Sequence, residues 1–549
     1  MATPIDAHKV FAEYFKGCES LAYALSSKLA EGNLCIDIED YKKELPAHLE
    51  EAKKKGSFSD ADHRFWVSPE EFDKQCMDGV FVTRDPSVLK PFVIYKQKAY
   101  LHRYFQYETQ IIENIKRLGS NLHIITGGPG TGKTYSVATE LVKLFTNNPD
   151  LKVALAAPTG KAAARMNESI KNYAGGKEEE LGKDVYLKLT SLKAQTLHRL
   201  LGYIRNSVFF RHNDKNPLPY DVVVIDEASM IDGAMMAKLL NAIGNNTLFY
   251  LIGDKDQLAS VEAGSVFGDI CRAVIDDAGK VEELEQVEKE IWTGGKVKRL
   301  LKNHRAEGKQ IVTISKKLIE GEKDFVLDFD NNVDNEVVIE TKHDEAKFNG
   351  QIKLYEEYIK AKSIIDALKK LNRVRVLCVT REHDYSVAEA NDRIEKYLRK
   401  TINNKDLFDP KDGFYHNQPI IITKNDYNLG LNNGDVGLIR KQGDDPLRFY
   451  FEGQDGELKS HPAGYLSHYE TVFAMTIHKS QGSEFDHVVV LLPEKQARKL
   501  LTRELLYTAV TRAKKKVLVQ TTPESLEHCL THEVSRASGL TQRIQESKK

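Results

Sequence analysis

The sequence predicts an α/β protein with two parallel-sheet domains, a small N-terminal domain and an all-β barrel insertion in the second parallel-sheet domain. Two observations predict this class. From Leu122 onward, short apolar runs alternate with helical stretches, a pattern typical of a parallel sheet covered on both faces. A second series begins near Lys298 and is interrupted by a turn-rich segment of strand-like runs. At 549 residues the chain is too long for one hydrophobic core, so about three or four domains are expected.

The first 297 residues divide into two predicted domains. Residues 1–100 alternate short amphipathic runs with charges and end in two strand-like runs, PFVIY and KAYLHRYF, which predicts a small, mostly helical domain. Residues 101–297 contain the apolar runs LHIIT, VALAAP, VVVID and LFYLIGD, which predict the strands of the first parallel sheet. A small insertion is expected at about 167–195.

The second parallel-sheet domain is predicted to consist of two segments, 298–395 and 469–549. Their strands are expected in the runs VRVLCVT, VVVLLP and KVLVQ. Between them, residues 396–468 have turn signals at Asn433-Gly434 and Asp455-Gly456, which predict the small β-barrel insertion.

Composition places few limits on function. Lys and Arg (79) balance Asp and Glu (80), so a nucleic-acid partner would need a local basic groove. The six cysteines are far apart and form no C-x-x-C pair, which argues against zinc, iron–sulfur clusters and a disulfide framework. No apolar signal core or run of 18 apolar residues is present, so we expect a cytoplasmic protein without a membrane partner.

A complete GxxxxGK[ST] motif follows the strand-like run LHIIT and precedes a helical stretch, the context that this phosphate-binding loop requires. Glycines allow backbone N–H groups to surround phosphates, and the helix N-terminus adds positive potential. We expect Lys133 to reach the β- and γ-phosphates of ATP, and the Thr134 hydroxyl to ligate Mg²⁺. The motif comprises Gly127, Gly128, Pro129, Gly130, Thr131, Gly132, Lys133 and Thr134.

A second motif, DVVVIDE, is a buried strand that ends in Asp226 and Glu227. Asp226 can hold the Mg²⁺ shell, and Glu227 can polarise the attacking water. The alternative is a strand that ends in an ordinary acidic turn. Together the two motifs predict a nucleotide hydrolase, but they do not identify what the energy is used for.

Six further segments occur in an order that resembles the superfamily 1B DNA helicases. They are APTGKAAARM (157–166), TLHRLLG (196–202), IDEASM (225–230), LIGDKDQLASVEAGSVF (251–267), FAMTIHKSQGSEFDHVVVLLP (473–493) and LLYTAVTRAKKKVLV (505–519). Residues 375–395 and 414–437 sharpen the resemblance to the RecD family, the alpha subunit of the RecBCD exodeoxyribonuclease V complex. The resemblance extends over essentially the whole chain and implies two RecA-like P-loop motor domains that share one ATP.

The resemblance implies roles for further nucleotide-site residues. Gln110 would read adenine, for which an amide donor and acceptor are suited, and Gln257 would sense the γ-phosphate. Gly482 and Glu484 would contact the nucleotide, with the Glu484 carboxylate binding ribose hydroxyls. For Gln110 the alternative is an ordinary polar helix residue.

Two arginines are implied to reach the nucleotide from the second motor domain. Arg305, in LLKNHRAEGKQI, and Arg512, in TAVTRAKK, would neutralise charge that develops on the γ-phosphoryl group. Surface salt bridges are the alternative for both. If both arginines gain a partner when ATP binds, the cleft closes, and release reopens it.

A translocating motor must hold single-stranded DNA through backbone contacts and base stacking. The resemblance implies a track formed by Pro158, Thr159, Lys161, His198, Thr380, Arg381, Thr476, His478 and Lys479. Gly160 and Arg199 belong to the same loops, and Asn425, Asp426 and Tyr427 in the insertion are further candidates. Loop capping and turn chemistry are the alternatives.

The resulting interpretation is an ATP- and Mg²⁺-dependent helicase that moves 5′-to-3′ on single-stranded DNA and acts at duplex ends. RecB-like and RecC-like partners would complete a heterotrimer for double-strand break repair and recombination, with residues 1–100 docked on the RecC-like partner. Alternatives are a stand-alone RecD-like helicase, a regulatory module, and a nuclease built on Asp334, Glu340 and Lys342.

Overall fold

The computed structural model describes residues 5–54, 60–275, 286–291, 293–304, 308–322, 335–402, 413–426, 428–443, 445–453, 457–495 and 497–547. Five residues named above lie outside these ranges: Arg305, Asp334, Tyr427, Asp455 and Gly456. Within the described part of the chain, no helix is both long enough and apolar enough to span a bilayer.

The N-terminal unit combines four helices with a four-stranded sheet. Its elements are α1 (Ala7–Ala12), α2 (Glu19–Ala30), β1 (Ile36–Asp37), α3 (Ile38–Lys54), α4 (Pro69–Gln75), β2 (Val82–Thr83), β3 (Phe92–Tyr95) and β4 (Lys98–Leu101). The strand order is β1-β4-β3-β2, and the two strand-like runs form the β3–β4 hairpin. Apolar side chains such as Leu25, Phe72 and Phe92 are buried between the helices and the sheet.

The first large sheet has seven strands. They are β5 (Leu122–Gly127), β6 (Val153–Ala157), β7 (Ala194–Thr196), β8 (Val222–Ile225), β9 (Leu248–Gly253), β10 (Gln286–Glu290) and β11 (Lys296–Leu300). Their order is β10-β11-β5-β9-β8-β6-β7; β10 is antiparallel to β11, and the other described neighbours are parallel. The predicted boundary at 297/298 cuts β11 and needs correction, because β11 completes this sheet by pairing with β5.

Helices cover both faces of this sheet. They are α5 (His102–Leu118), α6 (Lys133–Asn147), α7 (Gly160–Ala174), α8 (Glu178–Leu181), α9 (Lys183–Ser191), α10 (Leu197–Leu201), α11 (Gly233–Ala242) and α12 (Val266–Val274). The predicted insertion at 167–195 forms the end of α7, then α8 and α9. Ile170 and Leu189 of this segment are buried in the same hydrophobic core as apolar side chains of α6, so the segment packs into the first large unit.

The second large sheet has five parallel strands. They are β12 (Val337–Glu340), β13 (Val374–Cys378), β19 (Ala474–Thr476), β20 (Phe485–Leu491) and β21 (Ala513–Gln520), in the order β12-β21-β20-β13-β19. The surrounding helices are α13 (Lys309–Glu320), α14 (Glu345–Ile352), α15 (Tyr355–Lys360), α16 (Ile364–Leu371), α17 (Val387–Thr401), α18 (Arg503–Val510) and α19 (Pro523–Thr531).

The inserted segment forms a five-stranded antiparallel sheet. Its strands are β14 (Gln418–Ile422), β15 (Val436–Arg440), β16 (Arg448–Glu452), β17 (Leu458–Pro462) and β18 (Tyr469–Thr471), in the order β17-β16-β15-β14-β18. The described pairings leave β17 and β18 at the edges, so closure into a barrel stays a prediction. The predicted limits need correction. Residue 396 lies inside α17, whose Leu398 is buried against the second large sheet, and β18 begins at Tyr469, beyond the predicted end at 468.

The last helix, α20 (Leu540–Glu546), packs against α5 and α12 of the first large unit, although the sequence assigned it to the second. Leu540 and Ile544 are buried in the first core. Arg543 Nη1 lies 3.2 Å from Glu108 Oε2, and the Gly539 N–H donates to Glu108 Oε1 at 2.9 Å. The buried Glu108 carboxylate requires such donors, which explains why the chain end returns here.

Candidate nucleotide site and DNA track

The phosphate-binding loop lies between β5 and α6. Gly130 (φ 76°) and Gly132 (φ 79°) adopt the left-handed conformation that favours glycine. A Cβ on Gly127 would lie 2.7 Å from Thr131 Oγ1 and 2.8 Å from the Leu300 carbonyl oxygen, so a side chain has no room there. These three positions explain why the motif needs glycine, and they leave the loop backbone accessible to a ligand.

Lys133 is held over this loop by the loop's own carbonyl groups. Its Nζ donates to the carbonyl oxygens of Gly127 at 2.6 Å and Gly128 at 3.1 Å. The opposite side of the loop is held by the segment after β11, where Asn303 Nδ2 donates to the Pro129 carbonyl at 2.6 Å. The ammonium group is therefore held at the loop by two backbone carbonyls.

His304 follows Asn303, and its backbone N–H donates to the Gly130 carbonyl at 2.9 Å. Arg305 is the next residue in the chain and lies outside the described residues. The segment that precedes the predicted arginine is thus bonded directly to the phosphate-binding loop.

Asp226 and Glu227 follow the carboxyl end of β8, the edge of a parallel sheet where ligands bind. The Glu227 N–H donates to Asp226 Oδ1 at 2.8 Å, and Glu227 itself has φ 52°. Burial and the neighbouring Glu227 carboxylate together raise the pKa of Asp226 to about 6, and the Glu227 N–H and Lys133 oppose this shift. A buried carboxylate with this excess of negative charge suits a cation, and the oxygen donors of Asp226 and Thr134 are the type that Mg²⁺ prefers.

Gln257 lies in the first unit, and its side chain is bound to Asp254. Gln257 Nε2 donates to Asp254 Oδ2 at 2.9 Å, and the Tyr507 hydroxyl of α18 donates to the same oxygen at 2.8 Å. Burial raises the pKa of Asp254. A residue predicted to sense nucleotide therefore shares its carboxylate partner with the second unit.

The residue after Gln257 makes two more bonds across the same interface. The Leu258 N–H donates to Thr508 Oγ1 at 3.0 Å, and Gln481 Nε2 donates to the Leu258 carbonyl at 2.7 Å. The loop that follows β9 is thus fixed to two separate segments of the second unit.

Arg512 lies in this interface and is only 2% exposed. Its Nε donates to the Thr508 carbonyl at 3.1 Å, and its Nη1 donates to the Ser483 carbonyl at 3.2 Å. Burial lowers the pKa of Arg512, and the Glu227 carboxylate is the largest influence that raises it. The guanidinium is therefore within electrostatic reach of the carboxylate predicted to act on water.

Glu484 is engaged with a residue that the sequence analysis missed. Arg165 Nη2, on α7 of the first unit, lies 2.6 Å from Glu484 Oε1, and Lys514 Nζ lies 3.8 Å from Glu484 Oε2. Glu484 and Glu227 are the main carboxylates that raise the pKa of Arg165. Arg165 is therefore under the influence of both Glu484 and Glu227, and the ribose role of Glu484 stays a prediction. The arginine in APTGKAAARM was the available signal.

Two other residues predicted to contact the nucleotide, Gly482 and Gln110, lie in the second and first units, respectively. Gly482 (φ 71°) lies against Ala162 of α7, with 3.5 Å between the Ala162 Cβ and the site of a Cβ on Gly482. Gln110 lies on α5, where its Oε1 accepts from Asn241 Nδ2 at 3.3 Å. Its adenine contact stays a prediction.

The first-unit track residues separate into two groups. Thr159 Oγ1 caps α7 by accepting from the Ala162 N–H at 3.2 Å, next to Pro158. Lys161 Nζ lies 5.7 Å from the centre of the Phe485 ring of the second unit, and burial lowers its pKa to about 7. Lys161 is thus turned into the interface, whereas His198 is exposed on α10.

In the second unit, two predicted DNA contacts share one carboxylate. Lys479 Nζ lies 2.8 Å from Glu470 Oε2, and Arg381 Nη1 lies 3.5 Å from Glu470 Oε1. All three side chains are partly or fully exposed. Glu470, on β18, was not predicted, because its position beside the two cations depends on how the inserted sheet packs.

The remaining second-unit residues lie in the same loops. Thr476 Oγ1 accepts from the Lys479 N–H at 3.2 Å, and Thr380 Oγ1 donates to the Glu382 carbonyl at 3.0 Å. His478 is half-buried, and burial lowers its pKa. Asp426 accepts from backbone N–H groups of its own turn, which is the turn chemistry weighed as the alternative.

An exposed apolar hairpin follows α10. Tyr203 and Phe210 form an antiparallel bridge, and between them Val208 is 69% and Phe209 72% exposed. The His198 ring lies 5.6 Å from the Phe210 ring. This hairpin (203–210) was missed by the sequence analysis, although the apolar run SVFF beside TLHRLLG was a visible signal.

The nuclease alternative gains nothing from the described residues. Glu340 is buried and forms an ion pair with Lys347, and Asp334 lies outside the described ranges.

Residues 110–263 match the family model described as an AAA domain, and residues 471–519 match the UvrD-like helicase C-terminal domain. With the phosphate-binding loop and the arginine contributed across the interface, these matches define a P-loop ATPase of the helicase class. The RecBCD enzyme subunit RecD of Mycobacterium tuberculosis is 37% identical over 441 residues, which cover 78% of this chain and 71% of that protein. The chain belongs to the RecD family.

Two other relatives also have RecD-type names. RecBCD enzyme subunit RecD of Haemophilus influenzae is 35% identical over 78% of this chain and 71% of its own length. The ATP-dependent RecD2 DNA helicase of Deinococcus radiodurans is 29% identical over 72% of this chain and 46% of its own length. Bacteroides Pif1 bound to ssDNA aligns over 77% of this chain and 93% of its own, with 15% identity and a TM-score of 0.38.

Proposed function

We propose that this chain is an ATP-dependent DNA helicase and the RecD-like subunit of a RecBCD-type helicase–nuclease. Two RecA-like motor units would share one ATP and carry one strand of DNA. The first motor unit would contain residues 101–300 and α20, and the second most of 308–539 together with the inserted sheet. The observation that carries this proposal is the composite site across one interface. There Tyr507 donates to Asp254, the partner of Gln257, and Arg512 lies within electrostatic reach of Glu227.

At the nucleotide, each residue has a role that follows from its present contacts. Lys133 would exchange the loop carbonyls for the β- and γ-phosphate oxygens, which are stronger acceptors because they are charged. Asp226 and Thr134 would hold Mg²⁺, which would neutralise phosphate charge. Glu227 would orient and polarise the attacking water.

Arg512 would stabilise the charge that develops on the transferred phosphoryl group, and Arg305 is proposed for the same task on family resemblance. Two of the five N–H donors of Arg512 hold backbone carbonyls, which fixes the guanidinium plane. A fixed arginine needs little reorganisation when the transition state forms.

The strand would run across both units, over His198 in the first and over Arg381 and Lys479 in the second. These side chains suit sequence-independent contact with phosphates and base stacking. The hairpin of residues 203–210, beside His198, is proposed as the strand-separating element because an exposed aromatic tip can stack on the last base pair. Movement in the 5′-to-3′ direction is proposed from the family resemblance.

RecB-like and RecC-like partners are proposed for the chain, with the N-terminal unit as the docking region. This unit exposes Tyr14 (76%), Val80 (82%) and Leu89 (83%), and such side chains favour a protein partner. Co-expression with the neighbouring gene products, followed by pull-down, tests this. Loss of co-purification on changing all three residues to serine is expected, and partner-free behaviour of the native chain would favour a stand-alone helicase.

The proposed motor is tested by ATP hydrolysis with and without oligo-dT. Hydrolysis is expected to rise at least tenfold with the DNA, and Lys133→Ala is expected to abolish it while circular dichroism stays native. Equal rates with and without DNA, or retained turnover in Lys133→Ala, would contradict the proposal.

A further inference from the structure

We infer that Tyr507 is a positioning residue that transmits the state of the nucleotide sensor to Arg512, through the hydroxyl bond to Asp254. This inference rests on the proposed ATPase function and adds a residue to it. Tyr507 lies on α18 of the second unit, whereas Asp254 and Gln257 belong to the first.

The contacts of Tyr507 place it between the phosphate-binding loop and the sensor. Its side chain is 5% exposed, and its hydroxyl oxygen is 3.2 Å from where a Cβ on Gly128 would lie. The hydroxyl donates to Asp254 Oδ2 at 2.8 Å, the oxygen that also accepts from Gln257 Nε2 at 2.9 Å. One carboxylate oxygen is thus shared by the sensor and by the opposite unit.

Because Gln257 and Tyr507 donate to the same oxygen of Asp254, a change in one of these hydrogen bonds affects the other. If Gln257 turns its amide toward a γ-phosphate, Asp254 loses one of these two donors. Because an underbonded buried carboxylate is costly, the bond from Tyr507 then becomes more important to Asp254. Nucleotide binding in the first unit thereby strengthens a bond to the second unit.

That bond acts on the helix that carries the arginine. Tyr507 is followed on α18 by Thr508, whose carbonyl accepts from Arg512 Nε at 3.1 Å and whose hydroxyl accepts from the Leu258 N–H at 3.0 Å. The position of α18 therefore sets the position of the guanidinium. Tyr507 does not touch the reacting atoms in this account; it acts through α18.

The test uses the full chain with Tyr507→Phe, which removes only the hydroxyl. We expect kcat for DNA-stimulated ATP hydrolysis to fall about tenfold, while KM and the affinity for ADP stay within twofold. Affinity for ADP with aluminium fluoride, which imitates the transferred phosphoryl group, should fall about tenfold. This split follows because Lys133 and the phosphate-binding loop, which hold the phosphates of ADP, are unchanged in the first unit, whereas Arg512 acts on the transition state.

Tyr358→Phe is the matched control. Tyr358 is fully buried in the second unit and donates to the Asn417 carbonyl at 2.9 Å, away from this interface. It should lower the melting temperature without changing kcat. An equal loss of kcat in both variants would show a merely structural effect and overturn the inference.

Asp254→Asn supplies a second and independent test. If Tyr507 acts through Asp254, the double variant should have the kcat of Asp254→Asn alone, whereas additive losses would overturn the inference. If Tyr507→Phe does not fold, Asp254→Asn alone provides the test: kcat should fall while the affinity for ADP is retained. Failure of the proposed function itself is distinguishable, because Lys133→Ala would then retain hydrolysis or the native chain would show none.

Discussion

Replacing Arg512 gives the strongest prediction about catalysis. Arginines that neutralise a transferred phosphoryl group contribute about 10³ to 10⁵ in kcat. Arg512 commits two donors to the carbonyls of Thr508 and Ser483 and retains three for phosphate oxygens. Arg512→Ala should therefore lower kcat by about 10³ or more, which corresponds to about 4 kcal/mol.

Arg512→Lys separates charge from geometry. A lysine keeps the charge but cannot hold two carbonyls and a phosphate in one plane, so kcat should fall by about 10². The alanine variant also leaves the Ser483 carbonyl without its arginine donor, at about 1–3 kcal/mol, whereas the Thr508 carbonyl still accepts from Thr511 Oγ1; folding of the variant is therefore checked by thermal melting.

The assay is steady-state ATP hydrolysis at saturating oligo-dT, combined with equilibrium binding of fluorescent ADP. Both variants should bind ADP within about threefold of the native chain, since Lys133 and its loop are unchanged. Near-normal turnover in a folded Arg512→Ala protein would refute the reasoning and make Arg512 a structural residue. Parallel losses of ADP affinity and kcat would refute it too.

Three further predictions concern the interface and the DNA track. Burial lowers the pKa of Lys161 from 10.5 to about 7, so between these pH values the unfolded chain binds more protons than the folded chain. The free energy of unfolding should therefore rise from pH 7 to pH 9, and Lys161→Met should flatten that rise in urea denaturation. An unchanged slope in Lys161→Met would refute the burial of Lys161 in the interface. Glu470→Gln should raise affinity for oligo-dT by about two- to tenfold at low salt, because Arg381 and Lys479 lose a competing carboxylate. The control Glu457→Gln should leave the affinity unchanged. Weaker binding by Glu470→Gln would contradict this and would mean that Glu470 positions the two cations. Phe209→Ala should lower strand separation at least tenfold and leave DNA-stimulated hydrolysis within twofold, whereas Leu187→Ala on α9 should change neither activity. Normal unwinding by Phe209→Ala would exclude the hairpin as the strand-separating element.

Local motifs predicted much of this molecule because their physics is local. The GxxxxGK[ST] loop needs glycine where φ is positive, and a buried strand that ends in two carboxylates needs no distant partner to be recognised. Short apolar runs likewise predicted seven strands of the two large sheets, namely β5, β6, β8, β9, β13, β20 and β21, but not β7, β10, β11, β12 or β19. Each of these features depends on residues that are close in the sequence.

Features that depend on distant residues were missed or misplaced. Arg165 and Glu484 are 319 positions apart in the sequence, and nothing in either segment predicts their ion pair. Glu108 draws α20 to the first unit across more than 400 residues. Lys161 was expected on an open track, but the packing of Phe485 places it in the interface. Tertiary packing decides these positions, and one sequence does not encode it in readable form.

The central claim is that hydrolysis in the shared cleft drives a polynucleotide through the protein. The most direct measurement is release of the displaced strand from duplexes with either a 5′ or a 3′ single-stranded tail, with ATP and the purified chain. The account predicts ATP-dependent release from the 5′-tailed duplex, and none from the 3′-tailed duplex or with Lys133→Ala. Absence of release from both duplexes, under conditions where DNA stimulates ATP hydrolysis, would contradict it.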